Sequence, residues 1–517
     1  MTALYSLAEI RAVEQAAQAT LPPGTLMRRA GAAAADLALR LLPAGMPGIP
    51  QRVLVLAGPG NNGGDALDMA ARLATACEVG ILLFADQEKL PSDAAQALQR
   101  ARQSDAEFLD SRQAPALLAQ DWPLVVDGLF GIGLSRAIAG SLRDTVEALN
   151  KSNSTVLALD IPSGLDADTG TVVGADGVAV VADHTVTFIG DKPGLHTCDG
   201  RDHAGAIIVA GLDIDAALYP PCRAELNRPQ LFKPALQVRR HNSHKGSYGD
   251  VAVIGGATGM AGAPLLAARA AAKSGAGRTY AVFVGETPAL DHEQPELMCR
   301  NAKSFEFGSS VLVVGPGLGQ SEATGKLLQA AIVSPLPLVL DADALNLLAA
   351  APALRKALAQ RQTPAILTPH PLEAARLLGI TSKAVQADRM GAARALAQTL
   401  RAIVVLKGSG SIIALPDGKA VINPTGNPGL ATAGSGDVLA GICGALLAQR
   451  MPPWEAALAA VWLHGGAADL LVEEGVGPIG LTAGELIVSV RTLINKLINH
   501  NANRKHDGTN TLHSASY

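Results

Sequence analysis

The chain runs to 517 residues, too many for one hydrophobic core, so two or three domains are expected. Hydrophobic residues supply 48%, charged residues 17% and aromatics 3%, beside 54 glycines, a profile that fits an α/β enzyme with many tight strand-to-helix turns. A net charge of -4 with so few aromatics offers nucleic acid no basic or stacking surface and a membrane no polybasic patch, so neither is an expected partner.

Near the N-terminus, Glu9, Arg11 and Glu14 fall where a secretory signal needs an apolar core. Short apolar runs then alternate with Ala/Leu-rich segments: Val53–Ala57, Val79–Phe84, Leu124–Val126, Val156–Leu159, Thr185–Ile189 and Ala206–Val209. That alternation predicts parallel strands covered by helices. Between Leu218 and Arg240 the pattern is broken by Pro220, Pro221, Pro229 and Pro234, so a first domain is placed over 1–223 and a second over 224–498. The second block restarts with Val251–Ile254, Thr279–Val284, Val311–Val314, Leu338–Leu340, Ala365–Leu367 and Ile403–Leu406. Ser411–Leu415 and Ala420–Ile422, split by Pro416-Asp-Gly418, predict a hairpin. The longest uncharged stretch, Val251 to Ala268, is interrupted by Gly255, Gly256, Gly259, Gly262 and Pro264 and reads as strand, loop and helix, not as a membrane span. From about Asn499 the chain is polar and patternless, so 499–517 are expected to form a disordered tail. The dispersed cysteines, Cys77, Cys198, Cys222, Cys299 and Cys443, predict free thiols in a reducing cytoplasm, with no disulfide framework or structural zinc. Ala/Leu-rich helices would permit a homo-oligomer.

In the first block, Gly58-Pro-Gly-Asn-Asn-Gly-Gly-Asp65 follows a strand and precedes a helix. It satisfies the dinucleotide pattern Gly-x-Gly-x-x-Gly, and Asp86 ends the next strand where a ribose-reading acid would sit, so a Rossmann oxidoreductase is one reading. Asn61, Asn62 and Asp65 are not required by a pyrophosphate cradle, and their hard oxygens suit a cation. Asp127-Gly-Leu-Phe-Gly-Ile-Gly-Leu-Ser-Arg136 and Asp160-Ile-Pro-Ser-Gly164 end later strands. In an open α/β sheet such loops converge on a ligand crevice.

In the second block the run Asn423 to Asp437 packs Gly426, Gly429, Gly434 and Gly436 around one acid and opens into the apolar segment Val438–Leu447. A helix start there directs unpaired N–H groups at an anion. Asp437 repels a phosphate but makes sense as a base for a hydroxyl attacking one; the alternative is an N-cap. His244-Lys-Gly-Ser-Tyr-Gly-Asp250, Gly255-Gly-Ala-Thr-Gly-Met-Ala-Gly-Ala-Pro264, Gly315-Pro-Gly-Leu-Gly319, Asp341-Ala-Asp-Ala-Leu345, Thr368-Pro-His-Pro-Leu-Glu373 and Lys407-Gly-Ser-Gly-Ser411 flank the other strands. A Walker A motif fails, since the spacing over Gly319–Leu327 is wrong and Leu327 replaces the magnesium-binding hydroxyl.

The first-block motifs, together with Lys192-Pro-Gly-Leu195, resemble the YjeF N-terminal domain, the NAD(P)H-hydrate epimerase family, over about Leu7 to Gly211. The resemblance implies a Rossmann-like three-layer α/β domain in which Asn62, Asp127 and Ser163 bind potassium. Asn61, Asn62, Gly63, Gly64, Asp65, Gly131, Ile132, Gly133, Leu134, Ser135, Arg136, Ala137 and Asp160 would hold hydrated NADH or NADPH, with Asp160 moving the proton at C6. Ala66 departs from the family, which usually has a further glycine there. The second-block motifs resemble the ribokinase-like superfamily, and within it the ADP-dependent NAD(P)H-hydrate dehydratases, over about Arg240 to Glu485. His370-Pro-Leu-Glu373 stands where sugar kinases carry Asn-x-x-Glu. The resemblance implies that Ala263, Gly317, Gly319, His370 and Asp437 contact the hydrate and that Lys407, Gly408, Ser409, Gly410, Ser411 and Gly436 contact ADP or ATP. Asp437 would be the base, and Glu373 would organise magnesium.

Among single residues, Lys245 reads equally as an anion contact or a solvated loop lysine. Asp343 reads either as a group orienting water or metal or, preferentially, as a cap for the helix at Ala344, and His464 reads as a packed core histidine in preference to a ligand. The expected protein epimerises both forms of NAD(P)H hydrate and dehydrates the S form with ADP, giving AMP and phosphate. The alternative is a ribokinase-like small-molecule kinase carrying a non-catalytic nucleotide-binding module.

Overall fold

Successive side chains of β1 (Gln51–Ala57) enter different cores: Val53, Val55 and Ala57 pack on one face of their sheet, and Leu54 and Leu56 on the other. A strand alternating between two apolar layers is buried on both faces, which is why it reads as an unbroken hydrophobic run. The computed structural model describes residues 3–43 and 51–507, with side chains to 499, in two units, Met1–Ala224 and Glu225–Tyr517. The boundary between them along the chain falls within the proline-rich stretch.

In the first unit β1 is joined by β2 (Cys77–Leu83), β3 (Glu107–Leu109), β4 (Leu124–Gly128), β5 (Thr155–Leu159), β6 (His184–Phe188) and β7 (Ala206–Ala210). The sheet order is β3-β2-β1-β4-β5-β6-β7 and every pair is parallel. Winding reverses between β1 and β4, so their outgoing loops diverge and leave a crevice. The helix Asn61–Leu73 covers one face and packs on the helix Thr25–Leu41.

The second unit has β8 (Ala224–Leu226), β9 (Asp250–Gly255), β10 (Arg278–Phe283), β11 (Met298–Asn301), β12 (Val311–Val314), β13 (Leu338–Leu340), β14 (Ile366–Leu367), β15 (Ile403–Leu406), β16 (Ile412–Ala414) and β17 (Ala420–Ile422). Their order is β11-β10-β9-β12-β13-β14-β15-β16-β17-β8. The pairing is parallel as far as β15 and antiparallel through the hairpin β16–β17, whose three-residue strands a short turn can join. Here the winding reverses between β9 and β12. The helix Ser435–Ala448 is buried from Val438 to Ala448 and packs against the helix Gly262–Lys273, which itself starts after β9. The helix Pro453–Glu473 is apolar and long enough to cross a membrane, but most of it is buried in this core.

Three expectations change. The proline-rich stretch is not a bare connector, because it contributes β8 beside β17 and buries Phe232 in the core. The polar sequence from Asn499 continues the helix Ala483–Asp507, since a helix already nucleated by packing propagates through residues with no apolar stripe; 508–517 lie outside the described residues. The short edge strands β3, β8 and β11 escape the apolar pattern, whereas the five-residue edge strand β7 does not.

Candidate active sites

The first cleft, of about 630 Å³, opens at the reversal between β1 and β4. Asn61, Asn62 and Asp65 reach it from the start of the helix Asn61–Leu73, and Gly131 to Arg136 from the loop after β4. Approach is close: a Cβ at Gly131 would lie 3.3 Å from Asn62 Cβ and 3.4 Å from Asp160 Oδ2. Gly63 and Gly64 do not line the cleft. They are packing glycines, since a Cβ at Gly63 would sit 2.0 Å from the Gly58 carbonyl and one at Gly64 would sit 2.5 Å from Met27 Cε. Ala137 is exposed outside the lining.

Asp160 ends β5 with φ +65°, a strained value for a side chain other than glycine. Its Oδ1 accepts from Lys192 Nζ at 2.8 Å and from the Phe188 N–H at 3.3 Å. Lys192 is fully buried and also donates to Thr187 Oγ1 at 2.6 Å. The KPGL motif therefore delivers a buried ammonium to the acid at the cleft, a role the sequence left unassigned. Arg11 and Glu14, from the helix Leu7–Gln18, also face the cleft and were missed for want of a motif. Burial and the charge of Asp160 raise the carboxyls of Glu14 and Asp65, the latter strongly.

Asp127 and Ser163 lie behind this wall, both fully buried. Asp127 accepts from the Ser163 N–H at 2.8 Å, the Ser163 hydroxyl at 2.6 Å and the Leu129 N–H at 3.2 Å. Burial nevertheless pushes its carboxyl up to about 6. Asn62 is the telling neighbour: Oδ1 and Nδ2 are both buried without a partner, a loss of about 1–3 kcal/mol per group. An oxygen-liganded monovalent cation would satisfy Oδ1, so the donor chemistry fits potassium.

The second cleft, of about 550 Å³, lies at the reversal between β9 and β12. Ala263, Gly317, Glu373, Gly434 and Asp437 line it. Gly434, at φ +87°, precedes the helix Ser435–Ala448, so Asp437 stands in the first turn and is not the N-cap. Burial and repulsion from Asp341 push Asp437 up to about 7, against the pull of Lys407. Burial is also the main cause that raises Glu373 to about 7. Lys407 Nζ binds Asp341 Oδ1 at 2.8 Å and would be 3.1 Å from a Cβ at Gly436, which puts an ammonium beside the anion nest. Burial pulls the Lys407 ammonium down, but Asp341 and Glu373 outweigh it, and the net shift is upward.

His370 does not line the cleft. Its Nδ1 accepts from the N–H groups of Leu372 and Glu373 at 3.1 and 3.3 Å, while Glu373 Oε2 accepts from the His370 N–H at 2.8 Å. This capping box fixes Glu373 toward the cleft, so His370 acts here through its neighbour. Gly319 likewise lies outside the lining; its N–H is held by Asp343 Oδ2 at 2.9 Å. Asp343 thus braces the glycine turn across 24 residues and is not the cap expected for the helix at Ala344, whose N-cap position is Asp341. Lys245 is exposed, and His464 is buried, with burial pushing it down to about 4. Asp86 caps a short turn through the Glu88 N–H and pairs with Lys89, away from the cleft.

Among the described residues, no three His, Cys, Asp or Glu side chains gather into a metal site. Magnesium takes one or two carboxylates and completes its shell with phosphate and water. Glu373 is buried, anionic above about pH 7 and open to the cleft, so it fits that use.

Fold and clefts together define a two-module α/β enzyme, with a ligand crevice at the switch point of each module and a carboxylate inside the second module's anion nest. Residues 23–194 match the family model described as YjeF-related protein N-terminus, and residues 251–489 the model described as NAD(P)H-hydrate dehydratase. The bifunctional NAD(P)H-hydrate repair enzyme Nnr of Coxiella burnetii is 40% identical over 510 residues, covering 96% of this chain and 100% of that one. Its Escherichia coli counterpart is 38% identical, covering 91% and 89%, and the Leishmania infantum repair enzyme is 37% identical, covering 95% and 93%. A solved ADP/ATP-dependent NAD(P)H-hydrate dehydratase from Bacillus subtilis, co-crystallized with ATP/Mg2+, is 31% identical over 53% of this chain and 98% of that one, with a TM-score of 0.47. The chain belongs to the family of bifunctional NAD(P)H-hydrate repair enzymes.

Proposed function

We propose that the first unit epimerises the C6 centre of hydrated NADH and NADPH and that the second dehydrates one epimer with ADP, giving AMP and phosphate. The observation that carries the reading is Asp437, a half-buried carboxylate pushed up to about 7 in the first turn of a helix whose N-terminus suits a phosphate. Hydroxide is a poor leaving group. Asp437 takes the C6 hydroxyl proton as that oxygen attacks the β-phosphorus of ADP; the new O–P bond forms and AMP departs. The ring nitrogen lone pair then expels phosphate from C6, and loss of the C5 proton restores the double bond. The N–H groups of Ala433 to Gly436 and the Lys407 ammonium face the charge on the transferring group. Magnesium held through Glu373 would supply charge neutralisation on the nucleotide phosphates.

In the first unit, epimerisation requires either the C6–O or the ring C–N bond to open and reclose. Both routes move a proton at the C6 oxygen, and Asp160 is the group proposed to move it, a reading supported by its place in the cleft wall and its contact with Lys192. The orphaned Asn62 carboxamide with Asp127 and Ser163 supports potassium as the resident ion, which would fix the loops after β1, β4 and β5. Asn61, Asp65 and Gly131 to Arg136 form the wall for the nicotinamide nucleotide.

The test is to mix chemically hydrated NADH with the protein, magnesium and ADP and to follow the return of NADH absorbance. Both epimers recover on this reading, whereas no recovery with ADP or ATP sinks it. Asp437→Asn is expected to cut recovery by about 10²–10⁴-fold while ADP still binds. Lost ADP binding would make Asp437 a structural residue.

A further inference from the structure

Arg389 begins the helix Arg389–Leu400, is 1% exposed, and ranks first by volume among the fully buried side chains. A buried guanidinium persists only where its donors are met. Those of Arg389 reach the main chain of a single turn. Nη2 lies 3.4 Å from the Leu406 carbonyl, 3.3 Å from that of Lys407 and 3.5 Å from that of Gly410. Nη1 lies 2.8 Å from Gln386 Oε1. The turn follows β15 and leads to the hairpin. Gly408 holds φ +140° directly against the guanidinium, where a Cβ would be 2.6 Å from Nη1, so only glycine fits.

Peptide planarity carries the consequence outward. In a trans peptide the C=O of one residue and the N–H of the next point in opposite directions. With the Lys407 and Gly410 carbonyls turned in toward Arg389, the N–H groups of Gly408 and Ser411 are turned away from it. The buried cation thus gathers the negative ends of the turn and leaves positive ends on the opposite side. The geometry points to Arg389 as a positioning residue for the nucleotide: its planar fork holds the 407–411 turn in the shape that receives ADP. This rests on the reading above that the turn contacts nucleotide. Lysine keeps the charge but offers one compact ammonium, which does not span three carbonyls and Gln386 at once.

Full-length Arg389→Lys tests this by calorimetric titration with ADP and magnesium, alongside steady-state dehydration. The expected result is a rise of about tenfold or more in both Kd and KM for ADP, the loss of at least one charged hydrogen bond's worth of order. At saturating ADP the KM for the hydrate stays within about twofold, because residues 407–411 do not line the cleft, and kcat falls by less than ADP affinity, through the displacement of Lys407 alone. Gln386→Met removes one acceptor and is expected to move ADP affinity in the same direction by less, which keeps the test open if the lysine variant does not fold. Unchanged ADP affinity in a folded variant overturns the proposal, as does a uniform fall in all parameters tracking lost thermal stability. The titration separates this from the functional reading: wild type that binds ADP without consuming hydrate sinks the dehydratase and still tests Arg389. Wild type that binds no ADP sinks both.

Discussion

Asp437 occupies the first turn of a helix, where negative charge is ordinarily welcome, yet burial and Asp341 push its carboxyl up to about 7. As the proposed base it must be deprotonated, so kcat/KM for dehydration is expected to fall as pH drops through about 7; a pH–rate series in which the acid limb sits near 4 would assign that limb to another carboxylate. The same shift has a stability sign. The folded value lies above the unfolded 3.8, so the folded state favours the proton, and the cost of ionisation grows above 3.8 and is complete above about 7. Asp437→Asn is therefore expected to raise Tm more at pH 8 than at pH 4, measured by calorimetry without nucleotide. Lys192 makes the opposite case. Lys192→Met leaves Asp160 buried without its cation, and removing one partner of such a pair costs about 3–5 kcal/mol. Urea denaturation reads that loss, and a cost below about 1 kcal/mol would mean that the pair contributes no more than an exposed one.

Elements set the directions in which these groups point. The helix Ser435–Ala448 takes its start from Gly434, whose φ of +87° no ordinary side chain adopts without strain and whose Cβ would lie 2.6 Å from Leu266 Cδ1. Gly434→Ala is expected to lower dehydration through a displaced first turn, with about 1–2 kcal/mol of backbone strain, while epimerisation is unchanged. An unaltered dehydration rate would show that the nest tolerates the shift. The long parallel strands were legible because both faces are apolar, as Val53 to Ala57 illustrate. The edge strand Ala206–Ala210 was legible too, but the edge strand Met298–Asn301 was not, since it carries Arg300 and Asn301 and has no apolar run to read. The motif loops were legible as glycine-rich strand ends, but which glycines meet ligand and which meet protein was not. Gly63 packs on Gly58 and Gly131 faces the cleft, though both sit in equally glycine-rich sequence.

Across the whole molecule, each unit has its own sheet, cores and cleft. Effects of Asp160→Asn and Asp437→Asn are accordingly expected to be independent. The first is expected to strand one epimer while the other is repaired, and the second to stop recovery while epimers still interconvert. Chiral separation of the hydrates checks both, and a change above about twofold in epimerisation on Asp437→Asn would reveal coupling between the units. By itself the sequence determined the two α/β blocks, the loops that bear chemistry and the family, because apolar period, glycine and acid placement are local and survive in one dimension. Only the tertiary structure decided that Lys192 meets Asp160, that Asp343 braces Gly319, that Lys407 meets Asp341 across 66 positions and that Arg389 backs the 407–411 turn. Each is a buried or half-buried polar group whose loss of water demands a partner, and that partner is supplied by the fold of a distant segment, which no spacing along the chain encodes.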